Sequence, residues 1–478
     1  MSKILSSTNF RKMLIIFFLF VLFRCSIESM NIPASGWGEM NNILSRISAP
    51  VFPDKDFNII NYGAKPDGEF DNQEIINKTI IECSANGGGR IVIPKGEYFC
   101  AGTINLKSNV NFHLEEGAVI KFSTNPDDYL PVVLTRWEGI ECYNYSPLIY
   151  AFEQENIAVT GKGILHGQGA NENWWSWKGK KEYGWNKGMP SQLDSLGRPL
   201  LMKMSSENTS VEKRVFGKGS YLRPNFIQPF RCKNVLIEGV TFLDSPMWFI
   251  HPVESQNISI IDVTVKGLGP NNDGLDPESC KDVLIKGCDF QTGDDCIAIK
   301  SGRNNDGRRI AIPSENIVIQ NCKMKDGHGG VVIGSEISGD CRNVFAENCE
   351  MDSPNLDRAI RIKTNSYRGG IIENIFVRNI KVGEVSEAVL KINMKYEPDE
   401  GSDGKFLPVI KNINLQNITS KKSKYGLYLI GLENSKIKNV IIDTCNFENV
   451  KSGNAISDSE ELSFEEFFIN NEKQKMID

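Results

Sequence analysis

The sequence predicts an all-β fold: a right-handed parallel β-helix, wound from a single chain and closed at its N-terminal end by a helix. A phrase of alternating polar and aliphatic residues, usually starting with Asn, recurs along the second half of the chain. No segment between Phe230 and Val450 has a sustained helical period. Strand-type alternation that repeats every few tens of residues is typical of a solenoid.

The repeated phrase supports coils of unequal length. Its copies begin at Asn234, Asn257, Asp282, Asn316, Asn343, Asn374, Asn412 and Asn439, with weaker copies at Asn109 and Asn156. Successive starts from Asn234 are 23, 25, 34, 27, 31, 38 and 27 residues apart. Such intervals fit a parallel β-helix, whose turns vary in length, and exclude a strict short repeat. We expect the asparagines to hydrogen-bond from coil to coil. An antiparallel β-sandwich with coincidental spacing is the alternative.

The N-terminal residues have the features of a secretion signal. A basic segment with Lys3, Arg11 and Lys12 precedes the apolar run 13–23, which is too short to span a bilayer comfortably. We therefore expect a secreted or periplasmic protein with no membrane span. Lipid attachment at Cys25 is the less favoured alternative, because Phe23-Arg24 are not the small residues expected before such a site.

One continuous series of repeats favours a single domain, although 478 residues could hold two or three. We divide the chain into a signal peptide (1–25), an N-terminal extension (26–56), a β-helix domain that carries any catalytic site (57–455) and a C-terminal tail (456–478). Residues 71–83 have apolar side chains at helical spacing and predict the cap that a solenoid end needs. The first strand is expected at 90–94. The Trp-rich segment 169–190 is expected to be a long loop over the coil, and the tail after Ser457 to pack loosely.

Composition limits the possible partners and the redox chemistry. The net charge is −6, from 54 basic and 60 acidic residues, so nucleic-acid binding is not expected, and any site for an anion must be local. Several of the twelve cysteines occupy corresponding positions in the repeats. This pattern predicts small buried core residues and few disulfides. We expect a monomer.

Four polar clusters lie about one coil apart: Asn271-Asn272-Asp273, Gly293-Asp294-Asp295-Cys296, Gly327-His328-Gly329 and Arg361-Ile362-Lys363. Each alone is more often a turn or a solvated strand face. A residue one coil further along a parallel β-helix lies on the next strand, about 4.8 Å away. In this order and spacing, the clusters should therefore form one column roughly 15 Å tall.

The residue types in this column suit cleavage of a glycosidic bond between acidic sugars. Crowded carboxylates repel one another, which should raise the pKa of at least one of Asp273, Asp294 and Asp295. A protonated carboxyl can then donate to the leaving oxygen while an ionised one activates water. His328 is placed to tune that protonation. Arg361 and Lys363 alternate with Ile362, so both should point outward and suit a uronate carboxylate.

These motifs resemble glycoside hydrolase family 28, the polygalacturonases and related pectin hydrolases, over about residues 57–450. The resemblance implies a pectin-lyase-like right-handed β-helix and metal-free hydrolysis of α-1,4-galacturonosyl bonds with inversion, without a cofactor. It implies that Asp294 is the general acid and that Asp273 and Asp295 hold and deprotonate the water. His328 would support the acid, and Arg361 and Lys363 would bind the substrate carboxylate.

Further substrate contacts follow from the same resemblance. Asn271 matches the first residue of the family's Asn-Thr-Asp, and the substitution at Asn272 leaves both flanking residues intact. Tyr396 corresponds to a substrate-contacting tyrosine downstream of the Arg-Ile-Lys motif. Lys300 stands where fungal endo-acting enzymes usually have Asn and is expected to add a cationic contact.

The mode of action is predicted to be exo. The phrases at 274–280 and 330–336 resemble the bacterial and plant branch of the family, and the insertions at 169–190 and 303–314 could wall off one end of the groove. The four tryptophans of the first insertion are expected mostly to anchor it. Alternatives are a rhamnogalacturonan or xylogalacturonan hydrolase, a pectate-lyase-like eliminase that needs Ca²⁺, and a non-catalytic carbohydrate-binding β-helix.

Overall fold

The computed structural model describes residues 36–396 and 404–475, which form the predicted right-handed parallel β-helix. The proposed signal peptide and Cys25 lie outside these ranges. Within them, no helix is both long enough and apolar enough to cross a membrane.

Two sides of the solenoid belong to one sheet, which has 23 strands in the part of the chain that the structure describes. Most coils contribute two consecutive strands to it, and these merge into single long strands near the C-terminal end. Its strands are β1 (Asp56–Asn58), β2 (Asp67–Asp71), β3 (Gly89–Ile93), β4 (Gly96–Cys100), β6 (Val110–Leu114), β7 (Ala118–Phe122), β11 (Glu155–Gly161), β12 (Ile164–His166), β14 (Lys233–Glu238), β15 (Thr241–Leu243), β16 (Gln256–Ile261), β17 (Thr264–Gly267), β18 (Lys281–Lys286), β19 (Asp289–Thr292), β21 (Ser314–Gln320), β22 (Lys323–Lys325), β24 (Cys341–Glu347), β25 (Glu350–Met351), β27 (Ile371–Glu384), β29 (Val409–Lys422), β31 (Ile437–Phe447), β33 (Ser459–Ile469) and β34 (Glu472–Lys473).

The third side carries the site. Its strands are β5 (Ile104–Asn105), β10 (Ile149–Phe152), β13 (Ile227–Phe230), β20 (Ile297–Ile299), β23 (Val331–Ile333), β26 (Arg358–Lys363), β28 (Ala388–Asn393), β30 (Tyr425–Ile430) and β32 (Ala455–Ser457). Single parallel bridges from Ile227 through Ile250 and Leu275 to Ile297 join β13 to β20. An antiparallel hairpin, β8 (Val133–Trp137) and β9 (Ile140–Asn144), stands outside the coil.

The repeated asparagines form the expected ladder. Their side-chain amides donate to the side-chain oxygen of the preceding coil, for example Asn343 to Asn316 at 3.0 Å and Asn374 to Asn343 at 3.1 Å. These residues have positive φ, a conformation that Asn tolerates better than most residues. The ladder is interrupted between Asp282 and Asn257, because Asp282 has no amide to donate. Oδ1 of Asp282 accepts from Asn316 at 3.0 Å, which continues the ladder, and also from Arg46 at 3.0 Å.

Within the described ranges, four α-helices lie outside the sheets: α1 (Trp37–Arg46), α2 (Gln73–Ala85), α3 (Arg198–Ser206) and α4 (Asn304–Ile310). Helix α2 matches the expected cap and buries Ile76, Thr79, Ile80 and Cys83. Helix α1 was not anticipated. It buries Met40 and Ile43 against Val318 and Phe345, on the outer surface of β21 and β24.

Two expectations at the ends of the solenoid are wrong. The first strand comes before residue 90, because β1 pairs in parallel with β3. The residues after Ser457 are not loosely packed, since β33 pairs along its length with β31 and buries Phe467. The eleven cysteines in the described ranges are all free and buried, as core residues of the coils should be.

Candidate active site

The third side brings the four predicted clusters together. Leu275 bridges to Ile297, Ile297 pairs with Val331 and Val331 pairs with Ile360. Asp273, Asp294 and His328 lie in the turns just before these strands, and Arg361 lies on β26 itself. The four clusters therefore occupy successive coils, each displaced by one strand spacing of about 4.8 Å.

The three carboxylates converge as the sequence predicts. One oxygen from each of Asp273, Asp294 and Asp295 lies within 4.8 Å of the others. The environments of the three differ, because Asp294 is 18% exposed while Asp273 and Asp295 are buried. Both Asp273 and Asp294 line an open cavity of about 620 Å³.

Asp295 is held by the two cations of the Arg-Ile-Lys cluster. Its Oδ1 accepts from Nη1 of Arg361 at 3.2 Å, and its Oδ2 accepts from Nζ of Lys363 at 2.7 Å. Burial would raise the pKa of Asp295, but Lys363 and Arg361 outweigh it and hold the pKa below the usual range. Ile362 between the two cations is fully buried in the core, so the predicted alternation is correct. Asp295 is therefore ionised at the base of the site.

His328 contacts the carboxylate of Asp294. Its Nδ1 lies 2.9 Å from Oδ1 of Asp294, and this charge and hydrogen bond raise the pKa of His328 to about 8. Burial would raise the pKa of Asp294, but His328, Lys363 and Lys178 outweigh it and hold the pKa well below its usual range. In the ligand-free protein the pair is therefore an ion pair. The resemblance implies that His328 supports protonation of Asp294; without a bound sugar, the proton that the two share lies on His328.

The carboxylate whose pKa is raised is Asp273. Burial, and then the neighbouring Asp276 and Asp294, raise its pKa well above the usual range. The prediction that crowding raises at least one pKa is thus correct, although burial is the larger cause.

Asp276 is a further buried carboxylate near Asp273, and none of the four sequence clusters contains it. Burial raises its pKa to about 8, although the nearby ammonium group of Lys300 opposes this. A signal was present in the sequence, because Asp276 lies only three residues after Asp273. An isolated Asp between apolar and turn residues was nevertheless not distinguishable from a solvated one.

Lys300 is occupied by carboxylates and is only 2% exposed. Its Nζ lies 3.3 Å from Asp276, 3.5 Å from Glu336 and 3.6 Å from Asp273. Burial would lower the pKa of Lys300, but these carboxylates outweigh it and raise the pKa. Lys300 was predicted to contact substrate; it lines the cavity, and its charge is shared among these three carboxylates.

Tyr396 and Asn271 lie on opposite ends of the same cavity. The ring of Tyr396 faces the two cations of β26, with its centroid 5.6 Å from Cζ of Arg361 and 5.5 Å from Nζ of Lys363. Asn271 lies at the other end of the column, where its Oδ1 accepts from Lys178 at 2.7 Å and from Arg223 at 2.8 Å.

The insertion after residue 169 contributes one wall of the cavity, with Lys178, Lys180 and Leu193 on its surface. Its tryptophans mainly anchor it, as expected. Trp174 is buried and packs edge-on against Tyr129, and Nε1 of Trp175 donates to the main-chain oxygen of Ser245 at 2.9 Å.

A row of ion pairs continues this wall. Glu138, in the turn of the β8–β9 hairpin, accepts from Arg198 at 2.7 Å and lies 3.5 Å from Arg303. Arg303 in turn lies 3.4 Å from Glu336. These ion pairs join the β8–β9 hairpin, α3 and the residue before α4 in the wall of the cavity that Asp273 and Asp294 also line.

The three carboxylates could also offer one oxygen each to a divalent cation. Their charge is already largely compensated, however, because Arg361 and Lys363 bind Asp295, His328 pairs with Asp294 and Lys300 lies beside Asp273. A metal ion would have to compete with these cations, so the arrangement suits acid–base chemistry better.

Comparisons with known proteins agree with this geometry. The model of glycosyl hydrolases family 28 matches residues 207–463, more than half of the chain, including all four clusters. A model named rhamnogalacturonase A/epimerase, pectate lyase-like, matches residues 57–125.

Individual relatives cover most of the chain. The crystal structure of a hyperthermoactive exopolygalacturonase from Thermotoga maritima is 46% identical, covers 91% of this chain and 96% of its own, and has a TM-score of 0.87. An exo-poly-alpha-D-galacturonosidase of Dickeya chrysanthemi is 26% identical over 451 residues, 87% of this chain and 71% of the relative. A probable polygalacturonase of Vitis vinifera is 27% identical over 397 residues, 80% and 72% of the two chains. The matched family model and the extent of these similarities lead to one conclusion: the chain belongs to glycosyl hydrolases family 28.

Proposed function

We propose that this protein is an exo-acting polygalacturonase that removes galacturonate units from the end of pectic chains by inverting hydrolysis. The observation that carries the proposal is the column of Asp273, Asp294 and Asp295 with the cations of β26 beside it. The names of the Thermotoga and Dickeya relatives support the exo mode and the galacturonide substrate. The ion-paired wall of Glu138, Arg198 and Arg303 supports a groove restricted on one side.

Asp294 donates the proton to the leaving oxygen in this proposal. It faces the cavity and lies next to His328, which can replace the donated proton. In the ligand-free protein Asp294 is ionised, so substrate must raise its pKa. An anionic sugar that excludes water and pairs with the neighbouring cations would do so, because it adds negative charge and removes the compensation that Lys363 provides.

The attacking water is held by Asp273, the member of the remaining pair that reaches the cavity. Asp273 favours its protonated form, while the adjacent Asp295 is ionised. The water therefore contacts Asp273. As the water oxygen bonds to the anomeric carbon, the proton that it loses goes to the Asp273–Asp295 pair, which holds one proton and one negative charge and has one oxygen of each residue within 4.8 Å of the other.

The apolar N-terminal segment 13–23 supports export to the periplasm or the medium, where pectic polymers would be met.

Product analysis tests the proposal. Incubated with polygalacturonate, the protein should release galacturonic acid alone from the earliest times. A ladder of oligomers would instead make it endo-acting. An ultraviolet-absorbing unsaturated product that is lost with EDTA would make it a lyase, and absence of any product from pectic polymers or oligomers would exclude an enzyme of this class.

A matched pair of variants links the activity to the site. Asp294→Asn should lower kcat about 10²- to 10⁴-fold, the usual contribution of a general acid. Asp244 forms another Asp–His pair, 3.1 Å from His166 and outside the cavity lining, so Asp244→Asn should leave the activity unchanged.

A further inference from the structure

Among the described residues, two neighbouring cations have no carboxylate partner: Lys178, which lines the cavity, and Arg223, which lies behind it. Lys178 and Arg223 both donate to Oδ1 of Asn271, and neither forms a salt bridge with any carboxylate in residues 36–396 and 404–475. Arg223 is fully buried, and Lys178 is partly buried on the cavity surface. The other cations that line the centre of the site are paired, as Lys363 is with Asp295. Arg223 also donates to the main-chain oxygens of Pro246 and Pro270 and to Gln192, so its buried charge is satisfied within the protein. Lys178 donates only to Asn271 among the described residues. A half-buried ammonium group on the cavity surface with one neutral acceptor indicates an anionic ligand.

The two cations also orient Asn271. Two positively charged donors at 2.7 and 2.8 Å require the oxygen of the amide at that position. Nδ2 of Asn271 then points away from them and has no acceptor among the described residues. Because Asn271 lines the cavity, this NH₂ group is available to a ligand.

The position of this wall relative to the reacting groups identifies the ligand. Asn271 lies on the first coil of the column and Arg361 and Lys363 on the last, about three strand spacings or roughly 14 Å further along. Asp294 lies between them. A sugar chain that places its scissile bond at Asp294 therefore has one ring near β26 and the adjacent ring near Lys178.

We infer that Lys178 and the amide of Asn271 bind the carboxylate of the sugar on the Asn271 side of the scissile bond, so that the protein recognises a uronate on both sides. This inference rests on the proposed function. In it, Lys178 and Asn271 restrict the substrate to chains with a uronate on their side of the scissile bond. Arg223 is a positioning residue, since it fixes the amide without reaching the cavity surface. Lys178 is within range to lower the pKa of Asp294, so a carboxylate bound to Lys178 would also help Asp294 to take up a proton.

The proposed contact between Lys178 and a substrate carboxylate can be tested by combining a Lys178 variant with methyl esters of the substrate. The substrates are digalacturonate and its two monomethyl esters, in which one or the other carboxylate is neutral. For Lys178→Met we expect kcat/KM on digalacturonate to fall about 10- to 100-fold, the size of a lost charge-assisted hydrogen bond. One of the two esters should then be hydrolysed equally well by the wild type and the variant, while the other still shows the full loss.

Two further variants control for charge and folding. Lys178→Arg keeps the charge and should retain the discrimination between free acid and ester. Lys181 is exposed on the same insertion and is not part of the cavity lining, so Lys181→Met should match the wild type on all three substrates. An equal loss on all three substrates in Lys178→Met, or no loss on any, would overturn the inference.

Binding separates this inference from the proposed activity. Calorimetric titration of digalacturonate into Asp294→Asn protein, with and without Lys178→Met, needs no turnover. Weaker binding in the double variant supports the contact even if the wild type hydrolyses none of the substrates. Equal affinity, or no binding to either protein, contradicts it.

Discussion

Nδ1 of His328 lies 2.9 Å from Oδ1 of Asp294, and the imidazole itself is 52% exposed while the carboxylate is mostly covered. The proton on this pair resides on His328 in the ligand-free protein, because the pKa of His328 is raised to about 8 and that of Asp294 is lowered. His328 can therefore take up a proton from solvent, and Asp294 can donate one into the cavity.

This pair should make both activity and stability depend on pH above neutrality. Because the folded pKa of His328 is above its unfolded value near 6.5, its contribution to stability is complete below that value and is lost as pH rises through about 8. The difference in Tm between wild type and His328→Gln should accordingly shrink over that interval. The kcat/KM of the wild type should fall over the same interval, whereas the variant should be less active throughout and lack this inflection. A Tm difference that stays constant from below 6.5 to above 8 would contradict the assignment.

Asp276 should also make the protein less stable as pH rises, in this case because burial raises the pKa of its carboxyl group. A carboxyl whose folded pKa is about 8 gives stability at low pH that is lost as pH rises through that value, since ionising it within the core is unfavourable. Asp276→Asn replaces it by an amide that cannot ionise. The variant should therefore gain stability relative to wild type between about pH 4 and 8, as measured by urea denaturation across this range. If the difference in unfolding free energy between wild type and variant does not change with pH, Asp276 is already ionised at low pH. That result would mean that the salt bridge to Lys300 outweighs burial.

Much of the site was predictable because residues that are one coil apart in the sequence lie on neighbouring strands of the β-helix. Asp294 and His328 each precede a short strand, and Asp273 precedes the bridging residue Leu275. Each of these pairs with the next of the series, so the order and separation of the three side chains fix the column. Lys178 was missed as a site residue because the insertion that carries it has no strand period, and nothing local indicates that it folds back onto Asn271. The final coil was missed because β33 contains as many acidic residues as buried ones, although Leu462, Phe464 and Phe467 face inward.

Removal of the Lys363 ammonium group should destabilise the fold and not only weaken substrate binding. Asp295 is completely buried, and Lys363→Met would leave its Oδ2 without a partner. Breaking one side of a buried ion pair costs about 3–5 kcal/mol in the free energy of unfolding. Chemical denaturation should show this loss, and Asp295→Asn in the same protein should restore part of it. The exposed pair of Lys121 and Glu97 gives a matched control, because Lys121→Met removes a salt bridge that solvent already screens. A similar loss in both lysine variants would show that burial of Asp295 is not the cause.

The stereochemistry of hydrolysis is the most direct test of how the three carboxylates divide their work. Their closest oxygens lie within 4.8 Å of one another, shorter than the separation of about 6.5–9.5 Å common in inverting glycosidases. Distance alone would thus favour attack by a carboxylate and retention of the anomeric configuration. The contacts argue otherwise, because both oxygens of Asp295 are bonded to cations and the carboxylate is completely buried.

Asp273 is no better placed to attack the sugar directly. It is 3% exposed, Lys300 lies 3.6 Å from its Oδ2, and its raised pKa favours the protonated form, which is a poor nucleophile. Water positioned by Asp273 remains the better nucleophile, with Asp294 on the leaving-group side. Nuclear magnetic resonance of the first product formed from an α-linked galacturonide should therefore show the β-anomer before mutarotation. If the α-anomer appears first, a covalent intermediate on one of these aspartates must form, and the assignment of water to Asp273 is wrong.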